Sequence, residues 1–337
     1  MNKYKNKSIL ITGGTGSFGK NLALYLKKNF SFRKIIIFSR DELKQSNFQQ
    51  QLGTDIKNFR FLIGDVRDKD RLLFSLRDVD FVMHAAALKQ IPSTEYNPFE
   101  CIKTNILGAQ NLIECSLKSN VQKVIALSTD KAVSPINLYG AAKLCADKLF
   151  VSANKIVGNK KISFSVVRYG NVLGSRGSVL PKFLNQNENE NYFTITEKKM
   201  TRFNITIQDA IKTVMWTLEN SLGGEIVVPK LHSYNILDFA KAVNKNKKIM
   251  ISGIRPGEKI HEEMISINDS INAIELKDYY LILPFEKMIF KKKYKKEINS
   301  LKKRKPFSYN SFENTYLNVQ ELKKIIQNQI SKKLVEL

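Results

Sequence analysis

The sequence predicts an α/β protein with a Rossmann-type, doubly wound parallel sheet and a smaller C-terminal substrate-binding lobe. Apolar runs of strand length alternate with helical segments over the first half of the chain, and a glycine-rich turn follows the first run. After about residue 170 the elements become shorter and are separated by loops. We therefore expect a dinucleotide-binding domain at 1–170, to which some later segments return, a substrate-binding lobe mainly at 171–285, and a basic C-terminal region at 286–337.

Each strand of the predicted sheet is a short apolar run. In chain order the runs are Ser8–Thr12, Lys34–Phe38, Phe59–Ile63, Phe81–His84, Val124–Leu127 and Ser163–Val167. Helical segments lie between them, among them Asn21–Asn29, Arg71–Leu76, Ile106–Ser116 and Ala141–Val151. Strands that alternate with helices form βαβ crossovers, so the strands are expected to be parallel.

The composition argues against a disulfide-bonded scaffold and against a membrane span. The chain has 337 residues, 43% of them hydrophobic, but no run approaches the roughly 18 apolar residues of a spanning helix. Its polar start is not followed by the apolar segment of a signal peptide. The three cysteines have no metal-ligand spacing. We expect a cytoplasmic protein without a metal site.

The net charge of +24 raises the question of a nucleic-acid partner. The densest basic block, Lys287–Lys305, holds ten lysines and arginines and one acid, Glu297. It lacks the regularly interleaved aromatic side chains that stack on bases. We interpret the block as a solvated face and expect no specific nucleic-acid partner.

A glycine-rich turn separates the first strand from the first helix. Its sequence is Gly13-Gly14-Thr15-Gly16-Ser17-Phe18-Gly19, with three of the glycines spaced three apart. Small residues let the backbone approach a pyrophosphate, and the N–H groups at the start of a helix bind it. The turn therefore predicts the phosphate-binding part of a dinucleotide site.

The residues after the second strand favour NADP over NAD. Ser39, Arg40 and Asp41 stand where such sites grip the adenosine ribose, and Lys44 follows one turn later. Arg40 and Lys44 suit a 2′-phosphate, whereas Asp41 suits an unphosphorylated ribose. Further along, Asp65 and Val66 are expected beside the adenine, and Ala85 and Ala86 allow the cofactor to pass close to the backbone.

Two motifs after the fifth strand predict catalysis. One is Ser128-Thr129-Asp130-Lys131, and the other places Tyr139 and Lys143 four residues apart on one helix face. A phenol with a pKa near 10 has to lose roughly three units to act as a base near neutrality. We expect a Lys143 ammonium and a cationic nicotinamide to lower the pKa of Tyr139.

Together these motifs resemble the extended short-chain dehydrogenases/reductases and, more narrowly, the inverting UDP-N-acetylglucosamine 4,6-dehydratases of pseudaminic acid and related glycan pathways. The narrower resemblance rests on segments spread from about Ile9 to Ile265. They are Ser39-Arg-Asp-Glu-Leu-Lys-Gln45, His84-Ala-Ala-Ala-Leu-Lys-Gln90, Ser128-Thr-Asp-Lys131, Asn137-Leu-Tyr-Gly140, Arg168-Tyr-Gly-Asn-Val172, Met200-Thr-Arg-Phe203 and Ile254-Arg-Pro-Gly-Glu-Lys259.

The resemblance implies a mechanism. Tyr139 takes the proton of the sugar C4 hydroxyl, and Thr129 hydrogen-bonds the C4 oxygen. Lys131, as a neutral amine whose pKa a nearby Lys143 cation depresses, removes the C5 proton. Protonated Asp130 assists loss of the C6 hydroxyl as water, and C5 is reprotonated from the opposite face.

The resemblance also implies a UDP-sugar pocket and a homo-oligomer. Lys89 is expected near both cofactor and sugar. The remaining pocket residues implied by the resemblance are Asn171, Arg176, Thr196, Met200, Arg255 and Glu258. Arg255 suits the pyrophosphate because a guanidinium forks onto phosphate oxygens. The chain departs from the family's pattern at Lys182 and Asn204.

Two other functions remain open from the sequence. A UDP-sugar 4-epimerase also needs Thr129, Tyr139 and Lys143 but has no use for the Asp130-Lys131 pair. A noncatalytic NADP-binding protein would use the same cradle with the basic surface as its functional part.

Overall fold

The computed structural model describes residues 3–175 and 177–335. The strands are β1 (Ser8–Thr12), β2 (Lys34–Ser39), β3 (Phe59–Ile63), β4 (Phe81–His84), β5 (Lys123–Thr129), β6 (Ser163–Tyr169), β7 (Asn171–Val172), β8 (Tyr192–Ile195), β9 (Thr201–Ile205), β10 (Ile226–Pro229), β11 (Ser233–Asn235), β12 (Lys248–Ile251), β13 (Glu263–Ile265), β14 (Ala273–Glu275), β15 (Tyr279–Ile282) and β16 (Tyr309–Asn310).

The helices are α1 (Ser17–Asn29), α2 (Glu42–Leu52), α3 (Lys69–Ser75), α4 (Ile91–Tyr96), α5 (Pro98–Cys101), α6 (Gly108–Leu117), α7 (Leu138–Ala153), α8 (Val179–Asn189), α9 (Ile207–Asn220), α10 (Ile236–Val243), α11 (Ile267–Ser270), α12 (Met288–Lys291), α13 (Lys295–Ser300) and α14 (Val319–Val335). A π-helical turn, Ile102–Leu107, joins α5 to α6.

The predicted α/β class is confirmed by the central sheet. Its strand order is β3-β2-β1-β4-β5-β6-β10-β15-β14. The strands from β3 to β10 run parallel, and β15 lies antiparallel to both β10 and β14. The chain order reverses direction between β1 and β4, which is where open α/β sheets form a ligand-binding crevice beyond the carboxyl ends of their strands.

Two helices begin a few residues earlier than the apolar pattern of the sequence predicts, because a capping side chain precedes each of them. Helix α7 begins at Leu138 because the Asn137 side chain accepts a hydrogen bond from the Gly140 N–H over 2.8 Å. Asp68 caps α3 in the same way. Helix α2 was not among the predicted segments. It is capped by Asp41, and its buried residues are Gln45, Phe48 and Leu52, so its sequence has only a weak apolar stripe.

Two apolar layers enclose the sheet, and a third apolar cluster supports the smaller lobe. One layer packs α1 and α9 against the sheet, and the other packs α3, α6 and α7. The third cluster includes Phe183, Phe193 and Phe239 together with Leu322 and Ile326 of α14. The lobe therefore draws part of its core from the end of the chain.

The predicted domain limits at 170 and 285 stay a prediction. The chain crosses them in both directions, because β10, β14 and β15 complete the central sheet while α14 packs in the lobe. In the basic block, Phe290 and Tyr294 are buried in the main core, whereas Lys291, Lys292 and Lys293 are exposed. Within residues 3–175 and 177–335 no helix is both long enough and apolar enough to cross a bilayer.

Candidate active site

A cleft of about 680 Å³ opens at the carboxyl ends of β1, β4 and β5. Its wall contains all of the predicted cofactor residues: Gly13, Thr15, Gly16, Ser17, Phe18, Gly19, Ser39, Arg40, Lys44, Asp65, Val66, Ala85, Ala86, Lys89, Tyr139 and Lys143. A second cavity of about 380 Å³ shares Lys131, Asn171, Arg255 and Glu258 with it. The two cavities thus form one continuous site between the sheet and the lobe.

The glycine turn is packed so closely that side chains would not fit. Gly13 has a φ of +65°, and a Cβ on it would lie 2.8 Å from the Ala85 carbonyl oxygen. A Cβ on Gly19 would lie 2.6 Å from the Gly13 oxygen. Gly16 precedes α1 without a side-chain cap, so the first N–H groups of the helix are left for a ligand. This cradle fits the pyrophosphate of a dinucleotide.

The ribose end of the cleft carries charges of both signs. The Arg40 side chain is 53% exposed, and its Nη1 lies 3.7 Å from Asp65 Oδ2. Burial raises the pKa of Asp65, but the hydrogen bonds and charge of Arg67 outweigh it and lower the pKa below its usual range. Lys44 forms an ion pair with Asp41, which also caps α2. Arg40 is therefore the more available cation of the predicted pair.

The catalytic edge of the cleft is formed by the end of β5 and the start of α7. Thr129, Lys131, Tyr139 and Lys143 line the cleft. The Lys143 ammonium is buried and donates to the Leu127 carbonyl oxygen over 2.6 Å. A Cβ on Gly140 would overlap the carbonyl oxygen of Lys131, so α7 rests directly on the turn that follows β5.

Asp130 does not line the cleft. It is fully buried, and its Oδ1 accepts hydrogen bonds from Thr129 Oγ1 over 2.9 Å and from Lys131 Nζ over 3.1 Å. The other oxygen, Oδ2, has no partner among the described residues. Asp130 is therefore connected to the cleft by its hydrogen bonds with Thr129 and Lys131, which both line it.

Lys131 lies between two carboxyl groups. Besides Asp130, Oε1 of buried Glu262 lies 3.1 Å from the Lys131 Nζ, and Asn171 Oδ1 accepts a hydrogen bond from it over 3.2 Å. On the other side of Glu262, Arg202 Nε lies 3.6 Å from the same Oε1. These five side chains form one polar network: Lys131 and Asn171 line both cavities, Arg202 and Glu262 line the second, and Asp130 lies buried behind them.

The pKa directions in this network correct two expectations. Burial lowers the pKa of Lys131, but Asp130 and Glu262 outweigh it and raise the pKa above its usual range, so the expected neutral amine is wrong for the chain itself. The charge that opposes them is Arg202, not Lys143. Burial likewise raises the pKa of Tyr139 to about 12, although Lys131 lowers it.

Two further pKa directions follow from burial. The pKa of Asp130 is raised, chiefly because its carboxyl is removed from water, which agrees with a protonated Asp130. Burial lowers the pKa of Lys143 despite the charge of nearby Asp147.

Five of the residues expected in the sugar pocket line the second cavity: Asn171, Thr196, Met200, Arg255 and Glu258. Thr196 and Met200 are buried in the wall of the second cavity, where Thr196 Oγ1 lies 3.3 Å from Met200 Sδ. Arg255 is exposed, and its backbone N–H donates to Glu258 Oε2 over 3.3 Å. Lys182 lines this cavity and donates to the Thr194 carbonyl oxygen. The prediction for Arg176 lies outside the described residues.

Sequence reasoning missed Glu262 and gave Arg202 no role. Arg202 lies inside the quoted segment Met200–Phe203, and Glu262 follows the quoted segment ending at Lys259 by three residues. The available signal was the acidic pair Glu262-Glu263, which directly precedes the apolar residues Met264 and Ile265. Their contact with Lys131 depends on the fold, because about 130 residues separate them.

Comparison with known proteins agrees with this architecture. Residues 9–284 match the family described as "Polysaccharide biosynthesis protein". A UDP-N-acetylglucosamine 4,6-dehydratase (inverting) of Campylobacter jejuni subsp. jejuni is 53% identical over 289 residues, which cover 86% of each chain. A UDP-glucose 4-epimerase of Rickettsia bellii is 40% identical over 96% of each chain.

A solved structure shows the same fold over almost the whole chain. It is the X-ray structure of Pen from Bacillus thuringiensis, with a TM-score of 0.89 and 35% identity, and the match covers 97% of this chain and 99% of that one. The match over residues 9–284 and the 53% identity both confirm the resemblance found in the sequence. The chain belongs to the polysaccharide biosynthesis protein family and has the fold of the extended short-chain dehydrogenases/reductases.

Proposed function

We propose that the protein is an NADP-dependent UDP-N-acetylglucosamine 4,6-dehydratase that inverts the configuration at C5. The observation that carries the proposal is the position of Lys131, which lines both cavities beside Thr129 and Tyr139. A dehydratase needs a base for the C5 proton at this place, whereas a 4-epimerase does not. The similarity to the Campylobacter jejuni dehydratase supports the same substrate.

The cleft residues fit a dinucleotide. The Gly13–Gly19 turn and the start of α1 would hold the pyrophosphate, and exposed Arg40 favours a 2′-phosphate, hence NADP over NAD. Asp65 and Val66 would contact the adenine. When bound, the nicotinamide would supply oxidation at the sugar C4 and reduction at C6.

The residues of the catalytic edge would then move protons. Tyr139 would take the C4 hydroxyl proton, with Thr129 hydrogen-bonded to the C4 oxygen. Because burial raises the pKa of Tyr139 to about 12, neighbouring positive charge is needed, and Lys131 supplies part of it. Lys143 and the cationic nicotinamide would supply the rest.

Elimination of water would involve Asp130 and Lys131. A ketone at C4 acidifies the C5 hydrogen, and Lys131 in its amine form would accept that proton. Asp130 would be the source of the proton that leaves with the C6 hydroxyl as water. Since its carboxyl does not line the cleft, we propose that Lys131 Nζ, 3.1 Å from Asp130 Oδ1, relays that proton.

The sugar nucleotide would lie across the second cavity. Arg255 would contact the pyrophosphate, with Glu258 holding its loop, and Asn171 would contact the sugar beside Lys131. Thr196 and Met200 would form the buried end of this pocket. Lys89, on the wall of the larger cleft, would lie near both ligands.

One incubation tests the proposal against its alternatives. Purified protein is mixed with UDP-N-acetylglucosamine and NADP, and the product is analysed by mass spectrometry and by NMR of the C5 configuration. A product lighter by one water with inverted C5 supports the dehydratase. An isomer of unchanged mass points to the epimerase. No turnover, with steeply salt-dependent retention on heparin, points to a noncatalytic binding protein.

We further propose that the enzyme is a cytoplasmic homo-oligomer that serves synthesis of a surface glycan such as one containing pseudaminic acid. The free cysteines Cys101, Cys115 and Cys145 suit a reducing compartment. Exposed Tyr96, Phe99 and Leu107 on the α4 to α6 segment offer apolar surface for a second copy. Light scattering after size-exclusion chromatography measures the number of copies.

A further inference from the structure

Glu262 is a buried carboxylate in direct contact with the proposed C5 base. It precedes β13, is 2% exposed, and its backbone N–H donates to Ser311 Oγ over 2.9 Å. Its Oε1 lies 3.1 Å from Lys131 Nζ, whereas its Oε2 has no hydrogen-bond partner among residues 3–175 and 177–335.

The charges around Glu262 define what it can do. Lys131 and Arg202 contact it, Lys259 adds positive charge, and Asp130 lies on the far side of Lys131. Burial favours the protonated form of Asp130, whereas Lys131 and Arg202 outweigh burial and lower the pKa of Glu262. Glu262 is therefore the ionised partner of an ammonium at Lys131.

An ammonium cannot accept the C5 proton. Lys131 has first to lose a proton, and its ion pair with Glu262 stabilises the ammonium, so release to water near neutrality is unfavourable. Transfer within the 3.1 Å contact to Glu262 is different, because it converts an ion pair into two neutral groups and leaves the net charge unchanged. In a buried site this exchange also removes part of the desolvation cost of the two ions.

We propose that Glu262 is the proton acceptor that converts Lys131 to its amine form, acting through Lys131 and not on the sugar. This inference rests on the proposed dehydratase function. An N–H bond of Lys131 breaks, and an O–H bond forms on Glu262 Oε1. Lys131 then accepts the C5 proton as the C5–H bond breaks, and passes a proton to the departing C6 hydroxyl.

The proton count closes within the network. Asp130 replaces the proton that Lys131 gives to the C6 hydroxyl. Glu262 afterwards returns its proton through the same Nζ to Asp130, which restores the starting forms of all three groups. In this elimination one proton enters from C5 and one leaves in water. The proton that C5 takes up afterwards comes from solvent and balances the C4 hydroxyl proton that Tyr139 releases.

The variant Glu262→Gln separates this role from a merely electrostatic one. If Glu262 only held Lys131 in place by its charge, removing the charge would lower the pKa of Lys131 and make more amine, so proton removal would stay equal or become faster. If Glu262 accepts the proton, its loss slows proton removal by about 100-fold or more. Glu263→Gln is the matched control, because Glu263 bonds instead to the hydroxyls of Ser134 and Ser308.

The measurement is deuterium incorporation at C5 when UDP-N-acetylglucosamine and NADP are incubated with each protein in D2O, followed by NMR. We expect Glu262→Gln to lose incorporation and Glu263→Gln to stay within about twofold of the unmodified protein. Undiminished incorporation in a folded Glu262→Gln protein, checked by its melting temperature, overturns the inference.

A second measurement needs no variant. It follows exchange at C5 of the isolated 4-keto-6-deoxy product, whose ketone is already formed, so that proton removal by Tyr139 does not enter the pH dependence. Internal transfer from Lys131 to Glu262 does not depend on pH, so incorporation at C5 should stay nearly constant between about pH 6 and pH 9. Loss of the Lys131 proton to solvent would instead make the rate rise about tenfold per pH unit over that range, which overturns the inference. Absence of water loss with the unmodified protein would overturn the proposed function itself, so the two failures are distinguishable.

Discussion

The side-chain amide of Asn137 donates to the backbone carbonyl of Gly257 over 2.8 Å and so joins the start of α7 to the loop that carries Arg255. The same side chain caps α7 through the Gly140 N–H. One residue therefore holds the helix of Tyr139 against the loop expected to bind the UDP group.

We predict that Asn137→Ala lowers the free energy of unfolding by about 1 kcal/mol, because the helix loses its cap. It should also raise KM for UDP-N-acetylglucosamine more than KM for NADP, since the loop of Arg255 loses its tether. Urea unfolding and steady-state kinetics measure both effects. Asn29→Ala, which removes an exposed bond to the Tyr25 carbonyl, is the control; equal changes in both KM values would contradict the tether.

We predict that Arg40→Ala raises KM for NADP about tenfold and changes KM for NAD much less. A charge-assisted phosphate contact contributes about 1.5 kcal/mol, which corresponds to that factor. Lys44→Ala should have a smaller effect because Lys44 is paired with Asp41. Arg77→Ala, on an exposed arginine, is the control. Equal losses for the two cofactors would refute the preference for NADP.

We predict that Lys131→Ala abolishes deuterium incorporation at C5 while NADP still binds. The substitution leaves Glu262 with Arg202 as its nearest cation, so the free energy of unfolding should also fall by about 3 kcal/mol. Fluorescence titration measures cofactor binding, and NMR measures incorporation. Lys199→Ala, at an exposed lysine, should change neither quantity. Incorporation that persists in Lys131→Ala would remove Lys131 from the mechanism.

We predict that His84 makes the protein less stable in acid. Burial, with a contribution from Lys143, lowers the pKa of His84 to about 3, against 6.5 in the unfolded chain. Below pH 6.5 the unfolded state binds a proton that the folded state does not, so stability falls by about 1.4 kcal/mol per pH unit until about pH 3.

Between pH 7 and pH 5 this group alone should cost about 2 kcal/mol. His84→Gln lacks that proton, so its loss of stability over the same interval, measured by urea unfolding, should be smaller by about this amount. His232→Gln, at an exposed histidine, should follow the unmodified protein. Parallel curves for His84→Gln and the unmodified protein would contradict the assigned burial effect.

Much of the cofactor cleft is predictable from local sequence. Strand-length apolar runs place their last residues at one edge of a parallel sheet, so Gly13, Arg40, Asp65 and Thr129 had to meet there once the crossovers were recognised. The spacing of Tyr139 and Lys143 on one helix turn is equally local. These features depend on periods of two and 3.6 residues, which the sequence displays directly.

The polar network around Lys131 was not predictable in the same way. Glu262 contacts Lys131 because β13 packs against the turn that follows β5. No local sequence pattern predicts this contact. Together with adjacent Asp130, this distant carboxylate outweighs burial and reverses the expected pKa direction of Lys131. The orientation of Asp130 away from the cleft likewise depends on a single 3₁₀ turn, Asp130–Ala132, that directly follows β5.

Gly140 allows close contact between helix α7, which carries Tyr139, and the turn that carries Lys131. Because nothing larger than hydrogen fits between this residue and the Lys131 carbonyl, the main chain of α7 beside Tyr139 lies directly against the main chain of Lys131. A side chain at position 140 would push the two segments apart. The consequence for the proposed reaction is that the phenol and the amine start from two closely held points of the backbone, within reach of one sugar ring.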